Sequence, residues 1–103
     1  MSRGPDPGTA LVRALEANAL RAGCPLRTSA SDWTRWASAT FTGARHEVTL
    51  EADESGALDD WLTELPEVEL PIRGHLVADI VVISVRRAEG VAKIRLEALT
   101  VEE

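Results

Sequence analysis

One ten-residue segment constrains this chain more than any other, the apolar run Leu76–Val85, which is interrupted only by Asp79 and Ser84. It is far shorter than the roughly 20 residues that a membrane-spanning helix needs. Its Val and Ile side chains favour a β-strand. Both faces of that strand are mostly apolar, which predicts that both are covered. A two-layer domain of 103 residues has too few residues for a second covering layer, so we expect a partner to cover the other face of this strand.

The segments before this strand predict a helix and then a β-hairpin. Apolar residues recur at helical spacing after Thr9, a plausible N-cap, and Gly23 is placed to end that helix. The small polar residues 26–32 predict a loop. From Trp33 the pattern alternates with period two, and residues 42–45 resemble a hairpin connection to a second strand.

A second helix and hairpin are predicted to follow. Ser55 is a suitable N-cap for the second helix, and Pro66 is expected to end it. The apolar strand comes next, with a turn at residues 86–90. The last strand alternates from Ala92 onwards, with apolar side chains on one face and charged ones on the other.

This order predicts an α+β fold built as a two-layer sandwich. The elements run α-β-β-α-β-β, with an antiparallel four-stranded sheet and two helices on one of its faces. Residues 9–103 are expected to form one domain, since most domains have about 100–150 residues. Residues 1–8 contain two prolines and two glycines, which predicts a mobile N-terminal tail.

Charge is distributed unevenly along this small acidic chain. The net charge is −6, but residues 1–50 carry +2 and residues 51–103 carry −8. Eight acids and no base lie between Glu51 and Glu69. Nucleic-acid binding needs clustered Lys and Arg, so this balance disfavours it. A solvated helix face explains the acidic run, and the alternative is that Asp59, Asp60 and Glu64 dock a basic protein.

The residues that could perform chemistry are few. Cys24 is the only cysteine, which excludes an intramolecular disulfide and a cysteine-based zinc site. His46, His75 and Asp79 are the candidates for a ligand-binding or acid–base site. No established catalytic or nucleotide-binding spacing occurs. We therefore expect no metal and no cofactor, and a non-enzymatic role is favoured over catalysis. Asp79 is expected to find a partner, either an Arg or backbone amides, because it lies in an apolar strand.

Two tryptophans have a spacing that a single core does not accommodate. Trp33 and Trp36 are three residues apart, so in one strand they point to opposite faces. One of them is then exposed or covered by something outside the chain's own core. Tryptophan is enriched at the energetic centres of interfaces, so both residues are candidates for an interface.

Three functional hypotheses remain open from the sequence. The favoured one is a non-catalytic interaction or structural module that self-associates, most simply as a homodimer. The second is a small-ligand-binding domain or minor enzyme that uses His46, His75 and Asp79. The third is an acidic adaptor that binds a basic protein through residues 51–69. The absence of a signal-peptide pattern and of a membrane-spanning run predicts a cytoplasmic protein with no membrane partner.

Overall fold

In a computed structural model, which describes residues 6–103, the chain forms two helices and one antiparallel sheet. The elements are α1 (Pro7–Arg21), β1 (Arg27–Ala37), β2 (Thr42–Asp53), α2 (Gly56–Glu64), a 3₁₀ turn (Leu65–Glu67), β3 (His75–Ala88) and β4 (Val91–Glu102). The predicted α+β fold and the order α-β-β-α-β-β are confirmed.

The sheet has the strand order β1-β2-β4-β3, and all neighbouring strands are antiparallel. Two hairpins therefore meet through their second strands, and β1 and β3 form the edges. A two-fold axis perpendicular to the sheet, between β2 and β4, would exchange the unit α1-β1-β2 with the unit α2-β3-β4. The sequence did not determine this order.

The core lies between the helices and one face of the sheet, which we call the inner face. Alternate residues of β2 and β4 point into it, and Val48 faces Leu96 while Leu50 faces Ile94. The apolar stripes of both helices pack onto these residues. The fully buried helix residues include Leu11, Leu15 and Leu58. Each such side chain contributes roughly 1.5–3 kcal/mol through burial.

The ends of α1 confirm one sequence prediction and correct another. Gly23, with φ of 89°, closes the helix as predicted, and Cys24 N–H donates to the Ala19 carbonyl at 3.0 Å. The N-cap is Asp6 rather than Thr9, because the Asp6 carboxylate accepts from Thr9 N–H at 2.8 Å. The helix thus begins inside the segment predicted to be a tail, and the rest of that prediction, residues 1–5, lies outside the described residues.

The first hairpin is also shifted from its predicted position. β1 begins at Arg27, inside the stretch predicted to be a loop, and residues 38–41 make the turn instead of residues 42–45. Small polar side chains do not predict a strand, but the backbone of this segment forms a strand because it pairs with the backbone of β2. A register shift between Thr28 and Ala30 further hides the alternation.

The prediction that both faces of the apolar strand are covered is wrong within this chain. On β3, Leu76, Val81 and Ile83 are 56%, 44% and 46% exposed, while Ile80 is buried. Register shifts between Val77 and Asp79 and between Val82 and Ser84 change the phase of the strand. Both helices lie on the inner face, so nothing in the described chain covers the opposite one.

Candidate functional site

The face of the sheet opposite the helices, which we call the outer face, is not covered by any other element of the described chain. Strand register arranges its side chains in cross-strand rows. Three rows matter here, each read from β1 to β3: the terminal row Trp36–Gly43–Val101–Leu76, the middle row Thr34–Arg45–Leu99–Asp79, and the acidic row Asp32–Glu47–Glu97–Val81.

The terminal row is apolar, and a glycine interrupts it. The Trp36 indole lies over Gly43, where any Cβ would come within 3.0 Å of Trp36 Cε2 and would overlap the Thr100 carbonyl oxygen. Trp36 Nε1 is shielded from solvent and has no hydrogen-bond partner among residues 6–103. A shielded donor without a partner is costly, by about 1–3 kcal/mol.

The middle row carries opposite charges on either side of an apolar residue. Arg45 and Asp79 flank Leu99 in the strand register, and both charged residues are exposed. Neither forms an ion pair within 4.0 Å among the described residues. Asp79 is exposed to solvent without an ion-pair partner in the described part of the chain, so the expectation that a covered strand would force it to find a partner is wrong.

Trp33 and Trp36, the two candidates for an interface, point to opposite faces of the sheet, as their spacing predicts. Trp33 lies on the inner side of β1 opposite His46, is 38% exposed, and approaches α1 at Gly8. A Cβ on Gly8 would come within 2.6 Å of Trp33 Cδ1. Only Trp36 belongs to the outer face, so the pair does not form one surface.

The structure separates the predicted histidine–aspartate site. His46 is fully buried on the inner face, where its Nε2 lies 2.9 Å from Thr100 Oγ1 and its Nδ1 has no partner among the described residues. Burial lowers the pKa of His46, and the charge of His75 lowers it further, while Asp6 acts in the opposite direction. Asp79 is on the outer face, so the sheet itself lies between this carboxylate and the His46 ring.

His75 lies at the start of β3, where its Nδ1 is 3.4 Å from the Arg73 carbonyl oxygen. Among residues 6–103, no group of three or more His, Cys, Asp or Glu side chains is arranged to hold a metal ion. Cys24 is buried after the end of α1, and burial raises the pKa of its thiol. Asp79 is thus separated from His46 by the sheet, while the charge of His75 still acts on the His46 ring.

The acidic run is partly neutralised by a residue from β3. Arg87 contacts Glu54 at 3.0 Å and Asp59 at 3.0 Å, and these hydrogen bonds raise the pKa of the guanidinium. Asp60 and Glu64 line a groove of about 460 Å³ between α1 and α2 that also includes Arg21. Arg27 contacts Asp53 at 3.6 Å as well, so the run that lacks a base in sequence has three arginines beside it in space.

No helix within residues 6–103 combines the length and the apolar character that crossing a bilayer would require. Comparisons of the chain with protein-family models, with curated proteins and with solved structures find no match.

Proposed function

We propose that this protein is a non-catalytic module that self-associates through the outer face of its sheet. The observation that carries the proposal is the middle row, in which Arg45 and Asp79 stand one strand to either side of Leu99. When such a row is rotated by 180° about Leu99 and placed against an identical row, each charge faces an opposite charge. Isologous dimers require such a self-complementary surface.

The geometry of the dimer follows from this row. We place the two-fold axis between the two sheets, parallel to β4 and above Leu99. Arg45 of each copy then faces Asp79 of the other copy. In the terminal row, Leu76 of one copy faces Gly43 of the other, so a protruding side chain meets a position that has none. Leu99 and Val101 contact their own equivalents at the centre, and Glu97 of the acidic row also faces its own equivalent, a like-charge contact that weakens the dimer.

The size of this contact sets the expected affinity. With the axis above β4, only β2, β4 and β3 face strands of the other copy, and three rows across these three strands give a footprint of about 300 Å² per copy, from a spacing of about 4.8 Å between strands and about 6.8 Å between rows. This is smaller than most specific interfaces, which bury about 800 Å² per partner, and corresponds to a weak, transient contact. We therefore expect a reversible dimer whose population depends on concentration in the micromolar range.

Light scattering coupled to size exclusion tests the proposal at increasing concentration. We expect the mass to rise from 11.1 kDa towards twice that value. The variant Leu76→Asp is expected to remain monomeric, because it places a charge in the apolar terminal row. Leu20→Asp is the matched control, since Leu20 is also exposed, at 64%, but lies on α1, and it is expected to dimerise normally.

Charge reversal tests the orientation of the two copies. Arg45→Asp or Asp79→Arg alone creates two like-charge contacts per dimer and is expected to weaken association at least tenfold. The double variant restores opposite charges and is expected to recover most of the affinity. A wild-type chain that stays monomeric at several hundred micromolar would contradict the proposal. Dimerisation that is insensitive to Leu76→Asp would contradict the assignment to this face.

A further inference from the structure

A second site lies on the outer face beyond the acidic row, at the end of the sheet away from the terminal row. It is a shallow pocket of about 520 Å³, within the range of small-ligand pockets, roughly 300–1,000 Å³. Its polar lining consists of three cations and three hydroxyl groups and includes no carboxylate: Arg86, Lys93, Arg95, Ser29, Thr49 and Ser84.

The strand register concentrates the positive charge. Arg86 on β3 stands directly opposite Lys93 on β4, and Arg95 follows Lys93 on the same face of β4. Like charges directly opposite each other destabilise a sheet. None of the three cations has an ion-pair partner within 4.0 Å in the described part of the chain. In a chain of net charge −6, this local excess of cations is a feature that folding alone does not require.

We propose that this pocket binds a small ligand with two or more anionic groups, of the phosphate or pyrophosphate type. Guanidinium and ammonium groups form charge-assisted hydrogen bonds to such oxygens. The hydroxyls of Thr49 and Ser84 add donors beside Arg95 in the same cross-strand row. A bound dianion would also relieve the repulsion between Arg86 and Lys93.

The surroundings of the pocket favour a compact ligand over an extended one. The acidic row, with Asp32, Glu47 and Glu97 on adjacent strands, borders the pocket on the side of the middle row. A nucleic-acid backbone or an anionic membrane that covered the pocket would also have to approach these carboxylates. A ligand that fits within the pocket avoids them.

Glu51 provides a sensitive probe of the site. It lies opposite Lys93 and Arg27 in the sheet register, yet it has no ion-pair partner within 4.0 Å among residues 6–103, and Arg27 contacts Asp53 instead at 3.6 Å. Its charge repels an anion bound at Lys93. Removing that charge should therefore strengthen binding, an effect that a merely structural role of the cations would not produce.

Calorimetric titration of the full chain with inorganic pyrophosphate and with inorganic phosphate tests the proposal. We expect saturable binding, tighter for pyrophosphate, that weakens as salt is added. Arg95→Gln and Lys93→Gln should each weaken it at least tenfold, and Glu51→Gln should tighten it about threefold. Arg13→Gln is the matched control, because it removes the same charge from an exposed arginine on α1, away from both the pocket and the proposed dimer contact, and its effect should be less than twofold.

Three results would overturn the proposal. The first is absence of pyrophosphate binding at millimolar concentration and low salt. The second is equal weakening by Arg13→Gln and Arg95→Gln, which would indicate a general electrostatic effect. The third is binding of a single-stranded oligonucleotide or of vesicles containing anionic lipid without binding of pyrophosphate, which would indicate an extended polyanion. Each titration is also made with Leu76→Asp, which is expected to be monomeric, because the pocket and the proposed dimer contact lie on the same outer face.

Discussion

Acidification is expected to destabilise this protein through His46. The imidazole is fully buried, and its Nε2 lies 2.9 Å from Thr100 Oγ1. Its Nδ1 has no partner among the described residues, so a second proton on the ring would be buried without an acceptor. Burial and the charge of His75 lower the pKa of His46 below its ordinary value of 6.5. The folded state therefore holds a neutral ring.

The sign and size of the effect follow from proton linkage. Below pH 6.5 the unfolded chain protonates this imidazole and the folded chain does not, so the unfolded state binds more protons. The His46 contribution to stability is complete above pH 6.5. It is lost as the pH falls below that value, at up to about 1.4 kcal/mol per pH unit, until the folded-state pKa is reached.

Urea unfolding of the wild type and of His46→Leu between pH 5 and pH 8 measures this contribution. Subtracting the unfolding free energies of the two proteins removes the contribution of the carboxylates, which titrate in both. We expect the wild type to lose more stability than the variant between pH 6.5 and 5.5, by at most about 1 kcal/mol. Parallel stability curves, or a ring titration by NMR with a His46 pKa at or above 6.5, would refute the reasoning.

Two further predictions concern single positions, each with a matched control measured by thermal or urea unfolding. Gly43→Ala should destabilise the fold by at least about 2 kcal/mol, because the new Cβ would overlap the Thr100 carbonyl oxygen. Gly56→Ala meets nothing within 4 Å and should stabilise by about 0.4–1 kcal/mol. Asp6→Ala should cost about 1 kcal/mol because it removes the observed cap of α1, whereas Thr9→Ala should change stability by less than about 0.5 kcal/mol. A larger loss from Thr9→Ala than from Asp6→Ala would show that the helix is capped as the sequence predicted.

Local patterns predicted the elements whose residues carry strong signals. β4 alternates apolar and charged side chains from Ala92 to Ala98, and the burial of Ile94 and Leu96 against the exposure of Arg95 follows that alternation. Ser55 caps α2 as predicted, with its hydroxyl accepting from Leu58 N–H at 3.0 Å. These signals are local because they depend on side-chain direction and on backbone groups within one turn.

The candidate site was less accessible to sequence reasoning. His46, His75 and Asp79 were grouped by residue type, but the pleat places His46 and Asp79 on opposite faces of the sheet. The pocket of Arg86, Lys93 and Arg95 was missed because the chain is acidic overall. Its signal is present as two alternating cations on β4 after the basic end of β3, but only the pairing of β3 with β4 brings them together.

Local sequence patterns were sufficient to predict the fold class, the number and order of the elements and the buried faces of β2 and β4, because hydrophobic period and capping residues act over a few positions. Tertiary structure alone decided the strand order, the register shifts within β3 and the placement of both helices on one face. Those choices depend on long-range pairing. They also decide the surface that is left: the apolar segment Leu76–Val85, which predicted a doubly covered strand, presents Leu76 and Val81 on an open face. Contacts between chains decide whether that face is covered, and the hydrophobic period of a single chain does not encode such contacts.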